Sequence, residues 1–391
     1  MSIPWKSHLS WGALALASAT LVACGGGDPV GPKVAISRVV VAGDSLADAG
    51  TFGYKFTTQK AGDTAGYPVW PQIVESAFGL SGQTQCNYYQ YSPGGFSPNT
   101  LPDCNNFAIG GAKVIYDSPK LQDGSANPLA SLNPLNISVQ LKKHADEIGF
   151  SDSDLLLVDG GGNDIAALTA AFLGAQTNPL AYAQFLSQQL DGQTINDSLA
   201  NGQAGAVSAA GAYTTALADT FYDAIKSQAL DKGARHVAIL NAPDITLTPR
   251  FKAVLKGVES QAGVATAAGI KAAIQGWTMA FNARLAARAA GDSRVALVDF
   301  YADFADQGAH PEDYSLTNVE DASCPVVSYD PTNGLPEYDF LTCSDDALDQ
   351  LGGPTASWRT YAFSDGFHPT PYGHQLLAAS VNRALARAGW L

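Results

Sequence analysis

Positive charge is what this 391-residue chain has least of: 22 Lys and Arg stand against 36 Asp and Glu, a formal net charge of -14 at pH 7. No basic run occurs in it. Nucleic acid and anionic membrane surfaces both demand clustered Lys and Arg, so neither is expected as the main electrostatic partner. Charge of either sign is scarce, at 15% of residues, while 46% are hydrophobic. That balance excludes a disordered chain and leaves ample material for a core. The acidic surplus suits a secreted protein that must stay soluble. No internal repeat and no clear linker is found, so 35–391 reads as one domain, expected as a monomer.

Long apolar runs are missing as well. The stretch from Trp11 to Ala23 is too short for a comfortable membrane span. With Lys6 in a short polar start and small residues at its end, it reads as an export signal. Leu21-Val22-Ala23-Cys24 resembles the lipobox of bacterial lipoproteins, which implies cleavage after a signal peptide 1–23 and diacylglycerol on the Cys24 thiol. Residues 24–34 would then be the lipidated Cys and its tether, with Gly25-Gly26-Gly27 as a flexible spacer. Two acyl chains plus an N-terminal amide chain anchor stably where one does not. Gly25, which is not Asp, resembles the pattern of outer-membrane sorting in diderm bacteria. An exported, lipid-anchored protein of the cell envelope, at the outer membrane or cell surface, is therefore expected.

Cysteine is scarce, five in all. Besides Cys24 there are Cys86, Cys104, Cys324 and Cys343, an even number that suits two disulfides in an oxidising compartment. Four cysteines permit three pairings. The local ones, Cys86 with Cys104 and Cys324 with Cys343, are favoured because each closes a loop of fewer than twenty residues in a segment poor in periodic structure. Zinc is the competing reading, but C-x-x-C pairs and nearby His are lacking.

What the chain does have is alternation. Ala35 to Ala42, Asp154 to Val158, Val237 to Leu240 and Val295 to Phe300 are apolar, β-branched or Leu-rich runs of buried-strand length. Between them, Pro179 to Leu190, Ala204 to Ala229 and Gly263 to Ala290 have helical periodicity, as does Tyr372 to Ala388. This order predicts parallel crossovers and an α/β, three-layer α/β/α sandwich on a mainly parallel sheet. Two segments, 55–101 and 301–361, are rich in Gly, Pro, Tyr, Asp and Ser and read as irregular excursions over the active-site edge. Gly43-Asp44-Ser45, Gly161-Gly162-Asn163-Asp164 and Asn241-Ala242-Pro243-Asp244 all follow strands, at the sheet end where ligand sites gather.

Ser45 at a strand-to-helix turn would present its hydroxyl at that edge, although an ordinary turn explains Asp and Ser equally well. Asp365-Gly366-Phe367-His368-Pro369 sets a carboxylate three residues before a His. Such a carboxylate can turn back onto the imidazole and hold the tautomer that leaves the other nitrogen free as a base. The other His residues lack that setting.

Four stretches resemble the blocks of the SGNH (GDSL-type) hydrolases in the family's order: Gly43-Asp44-Ser45-Leu46-Ala47-Asp48-Ala49-Gly50, Asn106-Phe107-Ala108-Ile109-Gly110-Gly111-Ala112, Gly161-Gly162-Asn163-Asp164 and Asp365 with His368. The resemblance implies a flavodoxin-like fold and a serine nucleophile, Ser45, with Asp365 and His368 completing a triad. It also implies an oxyanion hole of the Ser45 amide, the Gly111 amide (Gly110 being the alternative) and the Asn163 side chain, with no metal or organic cofactor. Asn241 to Asp244 resembles a structural stretch of the larger members, and Asp44 and Asp164 read as turn stabilisers. The first block's Leu46-Ala47-Asp48-Ala49-Gly50 ending departs from the commonest wording, without touching a catalytic group.

Fold does not choose the ester. The size and long loops suit the larger lipases and esterases, so a carboxylic-ester hydrolase (EC 3.1.1 class) acting on lipid or short-to-medium acyl esters is expected. Tyr88, Tyr89, Tyr91 and Phe96 could bind acyl chains, though such aromatics more often pack loops. The alternatives are a polysaccharide O-acetylesterase and a non-catalytic envelope-binding lipoprotein.

Overall fold

Valine- and leucine-rich segments form the central sheet of the computed structural model, which describes residues 34–101, 103–118, 125, 127–351 and 353–391. The proposed signal, Cys24 and nearly all of the tether lie outside those residues. In chain order the first six strands are β1 (Arg38–Ala42), β2 (Tyr89–Ser92), β3 (Gly95–Pro98), β4 (Asp154–Val158), β5 (His236–Leu240) and β6 (Val295–Val298). The sheet has the order β1-β4-β5-β6 and is parallel throughout, with Val39 opposite Leu155, Leu156 opposite Val237 and Ala238 opposite Ala296. Residues 105–107 extend its β1 edge: Val41 N donates to Asn105 O at 3.0 Å, and Phe107 N to Val41 O at 2.8 Å.

Parallel neighbours need crossovers, and helices supply them. They are α1 (Trp70–Ala77), α2 (Ile137–Glu147), α3 (Gly162–Gly174), α4 (Pro179–Leu186), α5 (Gly192–Leu199) and α6 (Gly202–Gln228). After them come α7 (Pro249–Ala262), α8 (Val264–Ala289), α9 (Phe300–Ala309), α10 (Asp345–Leu351) and α11 (Pro371–Arg387). Alternate strand residues serve opposite faces. Val40, Leu156, Val237 and Ile239 pack with Leu141 of α2, Leu168 of α3, Phe221 of α6 and Phe281 of α8. Val39, Val41, Leu155, Leu157 and Ala238 pack with Trp70 and Val74 of α1 and Leu377 and Val381 of α11. Burial on both faces is why the strands read as continuous apolar runs. The three-layer sandwich expected from the sequence is thus the observed one.

Boundaries differ where side chains intervene. β1 starts at Arg38, where the ladder first meets β4 and Arg38 pairs with Asp154. β6 stops at Val298 because Asp299 caps α9, accepting from Ala302 N at 3.2 Å. The helix expected over 179–190 ends at Leu186. Helices α2 and α7 give little sequence signal: α2 buries Gln140 and His144 beside two apolar residues, and α7 buries only Phe251.

The two excursions are more ordered than their composition suggests. Segment 55–101 holds α1 and the β2–β3 hairpin, with Trp70 fully buried. Segment 301–361 holds most of α9, β7 (Asn318–Ala322), the short pair β8 (Ser328–Tyr329) and β9 (Pro336–Glu337), and α10. It leads into β10 (Tyr361–Phe363), which runs parallel to β7. Both favoured disulfides form, Cys86–Cys104 and Cys324–Cys343, so these thiols are not zinc ligands. Cys324, Cys343, Phe340, Leu348 and Trp358 make a small separate core against Tyr54 and Phe56, tying one excursion to the other.

The disulfides close loops of 18 and 19 residues, so removing either costs about 3 kcal/mol on a chain-entropy account. Thermal melting of the double-serine variants should show similar losses. The ester hydrolysis expected from the sequence should fall further without Cys324–Cys343, whose core packs against Phe56, than without Cys86–Cys104.

Candidate active site

Ser45 leaves the end of β1 through Gly43, and Gly43 is clamped from α2. Gln140 Oε1 accepts from Gly43 N at 2.8 Å, and Gln140 Nε2 donates to Gly43 O at 3.0 Å. Residues 44–48 then close a helical turn, with Ala47 N and Asp48 N both 3.1 Å from Asp44 O. The Ser45 side chain emerges at the carboxyl edge, and the Ser45 amide has no acceptor among the described residues.

His368 reaches the same point from the far end of the chain. β10 ends at Phe363, and a tight turn follows in which Ser364 N donates to His368 O at 2.8 Å and Thr370 N to Ala362 O at 3.0 Å. One carboxylate serves both the turn and the ring. Asp365 Oδ1 accepts from Phe367 N at 2.8 Å and His368 N at 2.6 Å, while Oδ2 lies 2.9 Å from His368 Nδ1. On the other side of the ring, Nε2 lies 2.8 Å from Ser45 Oγ. Burial alone would raise the Asp365 carboxyl, but the charge of His368, its ring bond and the turn amides outweigh it and hold the group below its usual value. Asp365 therefore stays ionised beside the ring.

The candidate oxyanion donors are set by two more buried acids. Asp48 Oδ1 accepts from Gly50 N and Thr51 N at 2.8 Å each, and Oδ2 accepts from Gly110 N at 2.8 Å. Gly110 N is thus spent, and Phe56 covers the residue: a Cβ there would lie 2.2 Å from Phe56 Cζ. Gly111 is exposed, sits at φ +81°, and its amide has no acceptor among the described residues. A left-handed backbone is what glycine tolerates. From the other side Asp164, in the first turn of α3, accepts from Val114 N at 3.0 Å and Ile115 N at 3.1 Å. Asn163 Nδ2 donates to Ala112 O at 3.0 Å and, more weakly, to Asp44 Oδ2 at 3.3 Å. Asn241 to Asp244, by contrast, is committed to structure: Asn241 Nδ2 donates to Asp299 at 2.8 Å, and Asp244 accepts from Gln275 at 2.7 Å.

A family model for GDSL-like lipase/acylhydrolase matches residues 39–381, nearly the whole of the described chain. The chain belongs to this family. It is accordingly an ester hydrolase in general kind. No curated protein matches the chain. No helix among the described residues is long and apolar enough to cross a membrane.

The rim of this GDSL-like site is aromatic, and only part of it was legible beforehand. Tyr88 and Tyr89 are packing: Tyr88 stacks on Phe107 at 4.4 Å and bonds Glu147, and Tyr89 is buried beside Phe107. Tyr91 and Phe96 instead join Phe52 at 5.2 and 6.1 Å. Phe52 meets Phe56 at 6.0 Å, and Phe56 and Phe340 meet His368 at 5.0 and 5.7 Å. The spacing Phe52-x-Tyr54-x-Phe56, just after the first block, was the available signal. A polar cavity of about 800 Å³ lined by Arg38, Gln83 and Asp154 lies at the opposite, amino end of β1. Its Arg38 is committed to Asp154.

Burial pushes Asp164 up to about 6 from 3.8, against the pull of the Ile115 and Val114 amides. Between those values the folded chain binds more protons than the unfolded one. This group therefore stabilises the fold most below pH ~4, and that contribution is lost as pH rises through ~6. Asp164→Asn does not titrate. Any stability deficit of the variant should shrink or reverse between pH 4.5 and 7.5 in thermal melts; a deficit that grows over that range would contradict this assignment.

Proposed function

We propose that the chain hydrolyses carboxylic esters, lipid or short-to-medium acyl esters of the EC 3.1.1 class, through an acyl-enzyme on Ser45. The observation that carries this reading is the line from Asp365 through His368 to Ser45 Oγ, with 2.9 and 2.8 Å between the groups. Ser45 Oγ attacks the carbonyl carbon while its proton passes to His368 Nε2. The Ser45 and Gly111 amides and the Asn163 side chain receive the oxyanion. The tetrahedral adduct collapses, and His368 returns the proton to the departing alcohol. Water, deprotonated by His368, then attacks the acyl carbon; this second adduct collapses, His368 returns the proton to Ser45 Oγ, and the carboxylic acid departs. Asp365 keeps the proton on Nδ1 and stabilises the imidazolium in both halves.

The aromatic rim supports an apolar ester over an acetylated polysaccharide, because Phe56 and Phe340 beside His368 make that side of the site apolar and bring no group that can hydrogen-bond a sugar. Hydrolysis of p-nitrophenyl esters from acetate to palmitate should occur with wild type and vanish with Ser45→Ala. Asp365→Asn should lower kcat by about 10⁴-fold, as loss of the orienting carboxylate does elsewhere. Activity confined to acetate would favour the O-acetylesterase, and a folded wild type inert across the series would favour the binding-only alternative.

Two disulfides suit export to an oxidising compartment. The reading extends to a lipid anchor at Cys24, after cleavage of residues 1–23, holding the enzyme at the cell envelope. Metabolic labelling with a fatty acid should mark the full chain expressed in a diderm host and not Cys24→Ser. Equal labelling of both would sink the anchor.

A further inference from the structure

Directly behind the nucleophile lies a pair of carboxyls that the mechanism above does not use. Asp44 and Asp159 are 5% and 2% exposed. Asp159 follows β4, its amide donating to Ala42 O at 3.2 Å, and its carboxyl occupies the space that a side chain at residue 43 would need. A Cβ on Gly43 would lie 1.5 Å from Asp159 Oδ1. Asp44 is well served: Oδ1 accepts from Leu46 N at 3.0 Å and Oδ2 from Asn163 Nδ2 at 3.3 Å. Neither Asp159 oxygen has a side-chain donor among the described residues; the groups against it are the Asp44 carboxyl and the backbone amides of Asp44 and of Asp159 itself.

Two carboxylates in contact away from water cannot both be ionised, and two acceptors attract only when one carries a proton. Leu46 N and Asn163 Nδ2 stabilise the charge on Asp44, whereas at Asp159 burial and the Asp44 charge outweigh the nearby amides. The other charged groups facing the pair are His368, which draws Asp44 toward ionisation, and Asp164, which feels the Asp44 charge. We propose that Asp159 is a positioning residue that carries a proton and donates it in a hydrogen bond to Asp44, keeping the pair at a single negative charge so that Asn163 can turn its amide from Asp44 to the oxyanion. This rests on the ester-hydrolysis reading. Burial raises both carboxyls, and the charge of Asp44 raises Asp159 further.

The reason for such a device is electrostatic. Both hydrogens of the Asn163 amide are engaged at rest, on Ala112 O and Asp44 Oδ2. A doubly charged pair would grip that amide and oppose the charge that develops on the substrate carbonyl. A proton on Asp159, donated in a hydrogen bond to Asp44, weakens both effects.

The test compares Asp159→Asn, which keeps a neutral donor, with Asp159→Leu, which keeps none, in the full chain. Infrared spectra at pH 8 should contain the carbonyl stretch of a buried protonated acid in wild type, and Asp159→Asn should lose it. With a p-nitrophenyl ester, Asp159→Asn should keep kcat within about 3-fold. Asp159→Leu should lower it roughly 10- to 100-fold with KM nearly unchanged, somewhat less than a fully lost oxyanion donor. The proposal is overturned if the wild-type band persists in Asp159→Asn or is absent from wild type. Equal kcat losses in the two variants would overturn it too. An esterase-inactive wild type would sink the ester reading and this role with it, while the infrared band alone would still decide where the proton sits.

Discussion

One hydrogen bond, 2.8 Å from His368 Nε2 to Ser45 Oγ, joins residues 323 apart in sequence, and the fold is arranged around it. Neither partner can move far without losing it. Ser45 is fixed by β1 and by the Gln140 clamp on Gly43, and His368 by a turn whose own carboxylate stitches it shut. The sandwich between them makes the contact cheap. β1 lies beside β4, α11 packs on the opposite face, and the two excursions lock together through the Cys324–Cys343 core. Ordering so long a loop costs conformational entropy that only a large buried core can offset.

Buried acids do most of the local shaping. Asp48 commits Gly110 and so leaves Gly111 free, Asp164 anchors the loop beyond it, and Asp365 sets the imidazole. Each is held by amide hydrogens, which is how a protein keeps carboxylates away from water. The Asp44–Asp159 contact is the exception, since the only side chain that faces its second member is another carboxyl and neither of its oxygens has a well-formed hydrogen bond among the described residues. A buried polar group left in that condition calls for an explanation, and a proton is the smallest one.

Much of this was legible in the chain. The central strands read directly because both faces are buried, and Asp365-x-x-His368 read as a ring-holding turn because a carboxylate three residues before a His can turn back onto its imidazole. The cysteine pairs followed from loop length. The helices α2 and α7 did not read, since their buried faces are half polar or nearly absent. The order within 55–101 and 301–361 was hidden because tertiary contacts hold these segments, not local periodicity. The ring wall of Phe52, Phe56 and Phe340 was missed for a similar reason: Phe340 lies far along the chain and meets His368 only in the fold. Asp159 gives no signal in the sequence, because only the fold sets its carboxyl behind Gly43 and beside Asp44.

The central claim is that Ser45 is the nucleophile activated by His368. Mass-spectrometric mapping of the adduct formed by a serine-reactive organophosphonate tests it most directly. The account predicts a single modified peptide, with the phosphonyl group on Ser45 in wild type and labelling strongly slowed in His368→Ala. An adduct on another serine, or a folded protein that hydrolyses esters yet never labels at Ser45, would contradict it.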